Sequence, residues 1–450
     1  MKKYLSKAEK RELKKQDRGF IEILEVVHHF FKDFMKWVDE ITDPRNKSYI
    51  TYTQNDLIVL GLIKNICSID SMRQMEEKFN EETCIETFKL ITGDKNISEI
   101  PYYGTLNYYL KMLSPECLDE LRRKMIKTLI RSKTFYDARL LGQYWRVVLD
   151  GTGLFHFKER HCENCLKKTV TNEDGTKTST YYHKVLEAKL ILADNIVVSL
   201  GTEFIENENE NVTKQDCERN AAKRLLYRIK KQYPRLKICI LGDSLYAAQS
   251  IMSICRKNNW KYILNCKSGS QKNIITDYKY IKSADNTSCR IIKYNDVEEG
   301  IGKYVNHVEE VTGKDEVFNV FEYEHNSTKK SLKFVWITNI EVSDSNIEKL
   351  VKAGRSRWKI ENEGFNNQKH GLYKIEHLNS KNSNAMKNHY LLIQISDIIM
   401  QLYIATNKLI KIISQSIKNT SSMILESFRR HTVTVEDVTN LAKRTKVRLL

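Results

Sequence analysis

No stretch of this 450-residue sequence is long and apolar enough to suggest a membrane crossing. The most apolar late segment, Tyr390 to Ile412, is interrupted by Gln394, Asp397, Gln401, Asn407 and Lys408, so no membrane segment is expected. The amino terminus, Met1-Lys2-Lys3-Tyr4-Leu5-Ser6-Lys7, is basic but lacks the apolar core of a signal peptide. Internal repeats and low-complexity linkers are missing too. The ten cysteines (Cys67, Cys84, Cys117, Cys162, Cys165, Cys217, Cys239, Cys255, Cys266 and Cys289) are scattered, several inside apolar runs where a thiol behaves as a small hydrophobe. That pattern is not a disulfide framework; it fits a reduced, cytoplasmic protein. Acidic charge is also in short supply, with 74 Lys+Arg against 57 Asp+Glu, a formal net charge of +17 and a pI near 9.2. The excess favours a polyanionic partner, nucleic acid above all, over a mere Lys-, Asn- and Ile-rich compositional style.

What is present is a globular composition, 41% hydrophobic and 29% charged, enough for two or three domains at about 150 residues each. After a charged run from Lys7 to Lys15, an amphipathic stretch carries Phe20, Ile23, Leu24, Val27, Phe30, Phe31 and Phe34. Thr53 can cap a helix bearing Leu57, Leu60, Ile63 and Ile66. Ser114-Pro115 opens another with Leu118, Leu121, Met125 and Leu129 at helical spacing. Residues 1–140 therefore read as a helical domain that could hold DNA or simply cap the rest.

From Gln143 the period changes. Tyr144 to Leu149, Leu154 to Phe157, Val185 to Ala193 and Ile196 to Leu200 read as short strands, followed by a helix over Lys214 to Gln232 that Pro234 ends. Strand Lys237 to Leu241, helix Leu245 to Asn258 and strand Lys261 to Cys266 come next. This order is most economically an RNase H-like mixed sheet flanked by helices, an α/β (α+β) fold. Residues 141–267 would be the first part of the core and 268–340 a β-rich insertion, with strands at Arg290 to Tyr294, Lys303 to Val311, Phe318 to Tyr323 and Lys333 to Thr338. Residues 341–415 would return to the core, and 416–450 form a basic helical tail whose end, Lys443 to Arg448, frays.

Two carboxylates follow apolar, β-branched runs: Asp150 after Arg146-Val147-Val148-Leu149, and Asp243 after Ile238-Cys239-Ile240-Leu241-Gly242. Each should lie at or just past the carboxyl end of a strand. Gly354 to Gly371 reads as a helix in which Arg357 and Glu361 pair four residues apart, beside an apolar stripe of Trp358, Phe365 and Leu372. Rigid acids from two strands and a helix are what a pair of hard divalent cations needs to cut and rejoin phosphodiesters. Taken singly, each has a plainer reading, as a turn-starting Asp or a surface i,i+4 salt bridge.

Leu149-Asp150-Gly151-Thr152, Leu241-Gly242-Asp243-Ser244-Leu245-Tyr246 and Arg357-Trp358-Lys359-Ile360-Glu361 resemble the three acidic motifs of DDE transposases from bacterial insertion sequences. The group is the "insertion sequence four" superfamily, which carries a β-strand insertion between the second and third acids. The likeness runs from about Tyr52 to Tyr403. It implies a cut-and-paste transposase, a DNA endonuclease and strand transferase whose Asp150, Asp243 and Glu361 bind Mg2+ or Mn2+. It further implies a homodimer on the terminal inverted repeats of a mobile element, acting on target DNA in the bacterial cytoplasm at the nucleoid. The family's tyrosine and lysine positions are Gly354 and Gln368 here, with Lys369 one place later. Lys369 is expected to reach a phosphate through an adjustment at Gly364, and Arg357 to clamp one. The rival readings are an RNase H-like nuclease without strand transfer, or a decayed or domesticated DNA-binding descendant.

His161-Cys162-Glu163-Asn164-Cys165, with His183 further on, could ligate one zinc through two thiolates and two imidazoles, or stand as an ordinary loop with reduced thiols. Further expected DNA contacts are Lys267, Arg355 and Lys359, with Lys184 and Lys189 beside them. His370 reads as a phosphate ligand or a surface residue, His156 as a strand residue. Trp336 reads as core, with base stacking the alternative.

Overall fold

The computed structural model describes residues 9, 18–267, 269, 271–284, 289–293, 298–309, 317–326, 331–413, 415–443 and 449. The charged run Lys7 to Lys15, Glu9 apart, and the basic end from Arg444 to Arg448 lie outside the described residues. Two compact units are present. One comprises Met1–Thr134, Leu154–Tyr182 and Phe365–Leu450, the other Phe135–Gly153 and His183–Gly364.

The first unit is mostly helical. The helix Gln54–Ile66 begins with the expected cap, extended to a capping box in which Thr53 and Asp56 satisfy each other's backbone N–H groups. Pro115 starts the helix Pro115–Arg131, where its missing N–H costs nothing. Both pack against Ser383–Thr406, a 24-residue helix buried on nearly every side. Its Asn388 donates from Nδ2 to the carbonyls of Leu110 and Leu113, which closes the end of a neighbouring helix. That helix is buried nearly all round because it is the centre of a bundle, and its polar residues, Asn388, Gln394 and Asp397 among them, find partners there. Among the described residues no helix is long and apolar enough to cross a membrane.

In chain order the strands are β1 (Trp145–Phe157), β2 (Leu166–Thr171), β3 (Lys177–Ala193), β4 (Ile196–Ile205), β5 (Ile238–Gly242), β6 (Lys261–Asn265), β7 (Cys289–Lys293), β8 (Glu299–Glu309), β9 (Val317–Asn326) and β10 (Ser331–Thr338). They form one sheet in the order β2-β3-β1-β5-β6-β10-β9-β8-β7, with β4 also paired to β3. Strands β1, β5 and β6 are parallel neighbours, while β3 and β4 form an antiparallel hairpin. The fold is α/β and RNase H-like: β4-β3-β1-β5-β6 is its core order. Every residue of β5 is buried, which explains its uninterrupted apolar run. The crossover helix Glu218–Gln232 lays Ala221, Leu225 and Ile229 toward the sheet and packs on β4.

Several expectations change. The runs before and after Gly151-Thr152-Gly153 are one strand, so Asp150 lies inside β1 rather than at its end. Its parallel partner β5 is in register only as far as Val148↔Leu241, which leaves Asp150 just beyond the paired stretch. The segment after Cys266 is not all β: Lys272–Ala284 is a helix. The remaining strands do not form a separate layer, because β10 pairs antiparallel with β6 and carries β9, β8 and β7 out along the same sheet. Last, the expected helix over Gly354 to Gly371 is not continuous. An α-helix ends at Arg355, Ser356 and Arg357 form a turn, and Ile360–Gly371 is a π-helix.

Candidate active site

Every residue of the acid group belongs to the second unit. Asp150 leaves β1 with its Oδ1 accepting the Gly151 N–H at 2.9 Å. Asp243 follows β5 by one residue, as expected, and its Oδ1 accepts the Leu245 N–H at 2.8 Å, a turn that fixes the carboxylate. Because β1 and β5 are adjacent and parallel, the two aspartates emerge side by side at the same end of the sheet. In parallel α/β sheets that end is where chemistry is placed.

The Asp150 carboxyl is pushed up to about 6. Burial is the largest cause and the Glu218 charge the next; Arg357 and the Gly151 N–H oppose them, and the Asp243 charge adds to the rise. Two further acids thus act on Asp150, opposed by the Arg357 guanidinium and the Gly151 N–H. Glu218 is the residue that sequence reasoning missed. It opens the helix Glu218–Gln232, and its carboxylate is held at both oxygens, by the Tyr246 hydroxyl on Oε1 and by Lys184 Nζ on Oε2. Tyr246 is fully buried, and burial followed by the Glu218 charge lifts its phenol well above the usual range. Gly151 is required here: a Cβ on it would fall on the Glu218 carboxylate, with Cδ only 2.6 Å away. The only sequence signal was an acid in a helix's first turn, which the helix dipole makes commonplace.

Asp150 and Asp243 fit a hard divalent cation. Both are oxygen donors on rigid elements, and a cation would replace their repulsion with attraction. Glu218 fits less well as a ligand, since both of its oxygens are engaged. Glu361 stands half-buried in the first turn of the π-helix, and the main influences on Asp150 come from burial, Glu218, Arg357, the Gly151 N–H and Asp243. Among the described residues no ion pair joins Arg357 to Glu361. The α-helical register that would have paired them is broken at Ser356, and Arg357 lies over the Trp358 ring instead, at 5.1 Å. The expected apolar stripe fails at Trp358 for the same reason: it is 48% exposed, while Phe365 and Leu372 are buried.

The expected DNA contacts divide. Lys267 lines an open cleft with Ser244, Lys279 and Lys333, next in sequence to Asp243. Arg355 is committed elsewhere, to an ion pair with Glu298 and to the faces of Tyr323 and Phe334. Lys359 is paired with Asp194 at 3.4 Å, Lys184 with Glu218, and Lys189 is wholly buried. In the first unit Lys369 is paired with Glu376 at 2.8 Å, His370 is exposed, and His156 is an exposed strand residue stacked on Tyr182.

Both departures from the family signature have packing reasons. A Cβ at Gly354 would meet the Trp336 ring at 2.7 Å, so no tyrosine fits there. Trp336 is 1% exposed and stacked on Phe321 and Phe334, a core residue and not a base-stacking one. Gln368 is buried, its Nε2 donating to Gln394 at 3.1 Å and to Asp397 at 2.8 Å. A lysine there would place a charge where the bundle has an amide network.

The four zinc candidates His161, Cys162, Cys165 and His183 offer ligand atoms that all lie within 4.8 Å of one another. His161 Nδ1 and Cys162 Sγ each lie 3.2 Å from Cys165 Sγ in the turn between β1 and β2, and His183 is a buried residue of β3.

Residues 195–396 match the family described as the transposase DDE domain. That span holds Glu218, Asp243 and Glu361, while Asp150 precedes it. No curated protein matches the chain. Among solved structures, a piggyBac transposase synaptic complex with hairpin DNA matches at 10% identity and a TM-score of 0.39, covering 94% of this chain and 85% of that one. The matched stretch, 202 of the 450 residues, is similar to that domain.

Proposed function

We propose that the chain cuts DNA at the terminal inverted repeats of a mobile element and joins the freed strands to target DNA, a cut-and-paste transposition. The observation that carries the reading is the crowding of Asp150, Asp243 and Glu218 at one end of adjacent parallel strands. This is a local excess of negative charge inside a domain of the transposase family. Asp150 and Asp243, joined by Glu361 from the π-helix, would hold Mg2+ or Mn2+. Such ions supply the charge that activates an attacking water or 3′-hydroxyl and stabilises the leaving 3′-oxygen.

The chain's own residues supply position and field. Asp150 and Asp243 present oxygens held by backbone N–H groups, that of Gly151 within β1 and that of Leu245 in the turn after β5. Glu218, clamped by Tyr246 and Lys184, adds negative potential at Asp150 and so raises that carboxylate's affinity for a cation, a proton included. Arg357 acts at Asp150 and offers a planar fork for the scissile phosphate. Lys267, Lys279 and Lys333 line the cleft beside Ser244, where they suit the backbone of the bound strand without reading its sequence. Joining two ends in one reaction calls for two copies of the chain, hence a homodimer on DNA, acting in the cytoplasm at the nucleoid.

The test uses the purified chain, Mg2+ and a labelled end fragment taken from the repeats that flank its coding sequence. Cleavage and a joined product are expected. Asp150→Asn, Asp243→Asn and Glu361→Gln should each lose both while still retarding the labelled end. Cleavage without joining would reduce the proposal to a nuclease, and undiminished cutting by Asp150→Asn would overturn it.

A further inference from the structure

The transposase reading leaves the turn between β1 and β2 unused, and this turn holds a set of soft and borderline donors. His161 Nδ1 and Cys162 Sγ each approach Cys165 Sγ to 3.2 Å. With His183 they form a set whose ligand atoms all lie within 4.8 Å of one another. Leu166 pairs with Tyr182 in the antiparallel β2–β3 ladder, and Cys165 and His183 are the residues next to that pair in sequence; both are buried. We infer that His161, Cys162, Cys165 and His183 form a structural zinc site of the Cys2His2 kind, closing the base of the β2–β3 hairpin.

Three observations favour zinc over the other uses of a Cys-x-x-Cys pair. No disulfide joins the two cysteines: at 3.2 Å their sulfurs are well beyond the roughly 2.05 Å of such a bond. Two thiolates on one tetrahedral zinc, with Zn–S near 2.3 Å, stand about 3.8 Å apart, which a small outward rotation of either side chain provides. A redox pair usually has its attacking thiol at a helix N-terminus, whereas Cys162 to Cys165 is a turn that runs directly into β2. The hairpin also needs an anchor. Of β2, only Leu166 is buried, and Lys167 to Thr171 are exposed. A two-stranded ribbon without an apolar face is marginal on its own, and a metal at its base contributes the folding free energy that a core would otherwise supply. The His161 ring already packs on Phe157 with centroids 3.9 Å apart, which holds one ligand beside the end of β1.

The test reads metal content and needs no transposition assay. The full chain, purified without chelator, should carry one zinc per chain by elemental analysis. After removal of that zinc it should take up one Co2+ with the visible absorption of a tetrahedral thiolate site. Cys162→Ser and Cys165→Ser should abolish both signals, and His183→Ala should lower zinc retention against a competing chelator. Cys217→Ser, an exposed cysteine outside the cluster, should leave them unchanged. The inference is overturned if the folded chain neither holds zinc nor binds cobalt, if intact mass shows a Cys162–Cys165 disulfide, or if the Cys162→Ser, Cys165→Ser double variant keeps stoichiometric zinc. The cobalt spectrum of the unsubstituted chain decides the matter even if a variant fails to fold.

Discussion

Asp150 is a half-buried polar group and Gln368 a fully buried one, and their surroundings are opposite. Around Gln368 every partner complements the next: its amide donates to Gln394 and Asp397, Gln394 donates back at 3.0 Å, and Gln401 adds a bond to Asp397 at 2.9 Å. Around Asp150, burial and then the Glu218 charge, with a smaller push from Asp243, outweigh the opposing Arg357 and Gly151 N–H, and the carboxyl rises to about 6. A closed set of complementary groups is what a bundle interior requires. A set that repels itself is tolerated only where something else is to be bound. The contrast separates structure from function with no reference to conservation.

The contrast can be broken most severely at the acids. Asp150→Asn or Asp243→Asn should slow end cleavage by at least about a thousandfold, several kcal/mol of transition-state stabilisation, in a labelled-end assay. Stability should move in opposite directions in the two regions. A carboxyl whose folded pKa lies above its unfolded value binds its proton more tightly when folded, so stability falls as pH rises from about 4 to about 6, and the penalty persists above that. Asp150→Asn should therefore stabilise the metal-free chain at neutral pH by up to roughly 3 kcal/mol, with no gain below about pH 4. Denaturant titrations at both pH values would show it, and a uniform loss of stability would remove the repulsion argument. Gln368→Leu should instead destabilise by about 1–3 kcal/mol by orphaning Gln394 and Asp397, with little pH dependence between 6 and 8.

Gly151→Ala is a subtler break. It forces Glu218 off Tyr246 or Lys184 and should cost about 1–3 kcal/mol in thermal or denaturant unfolding, with part of the cleavage rate. The smallest effect is expected at Lys369. Already paired with Glu376 on an exposed surface, it should change end binding on alanine substitution by no more than roughly 1 kcal/mol, whereas Arg357→Ala should weaken binding more and raise the Asp150 pKa further. A gel-shift titration ranks the two.

Much of this was legible in the string. The helix start at Thr53, the proline start at Pro115, the buried run before Asp243 and the four strands of the insertion are local patterns, and local chemistry fixes them. What escaped depended on partners far apart in sequence. Leu166 to Thr171 is too polar to read as a strand, yet it pairs with Lys177 to Tyr182. Glu218 looked like an ordinary first-turn acid until Gly151, Lys184 and Tyr246 were placed around it. The Arg357–Glu361 pair assumed a regular α-helix, and the turn at Ser356 with the π-helix beyond it removed that register.

Periodicity and residue type by themselves indicated the class of this protein: a basic, RNase H-like α/β chain with Asp150 and Asp243 beside its central strands. Only the tertiary structure decided which charges meet. The sequence placed Asp150 next to Gly151 without showing that Glu218 fills the space a side chain there would take. It gave glycine and glutamine at positions 354 and 368 without showing that a tryptophan ring and an amide network require them. Secondary structure follows from neighbours along the chain, whereas the field at a site follows from groups that the fold brings together from anywhere in it.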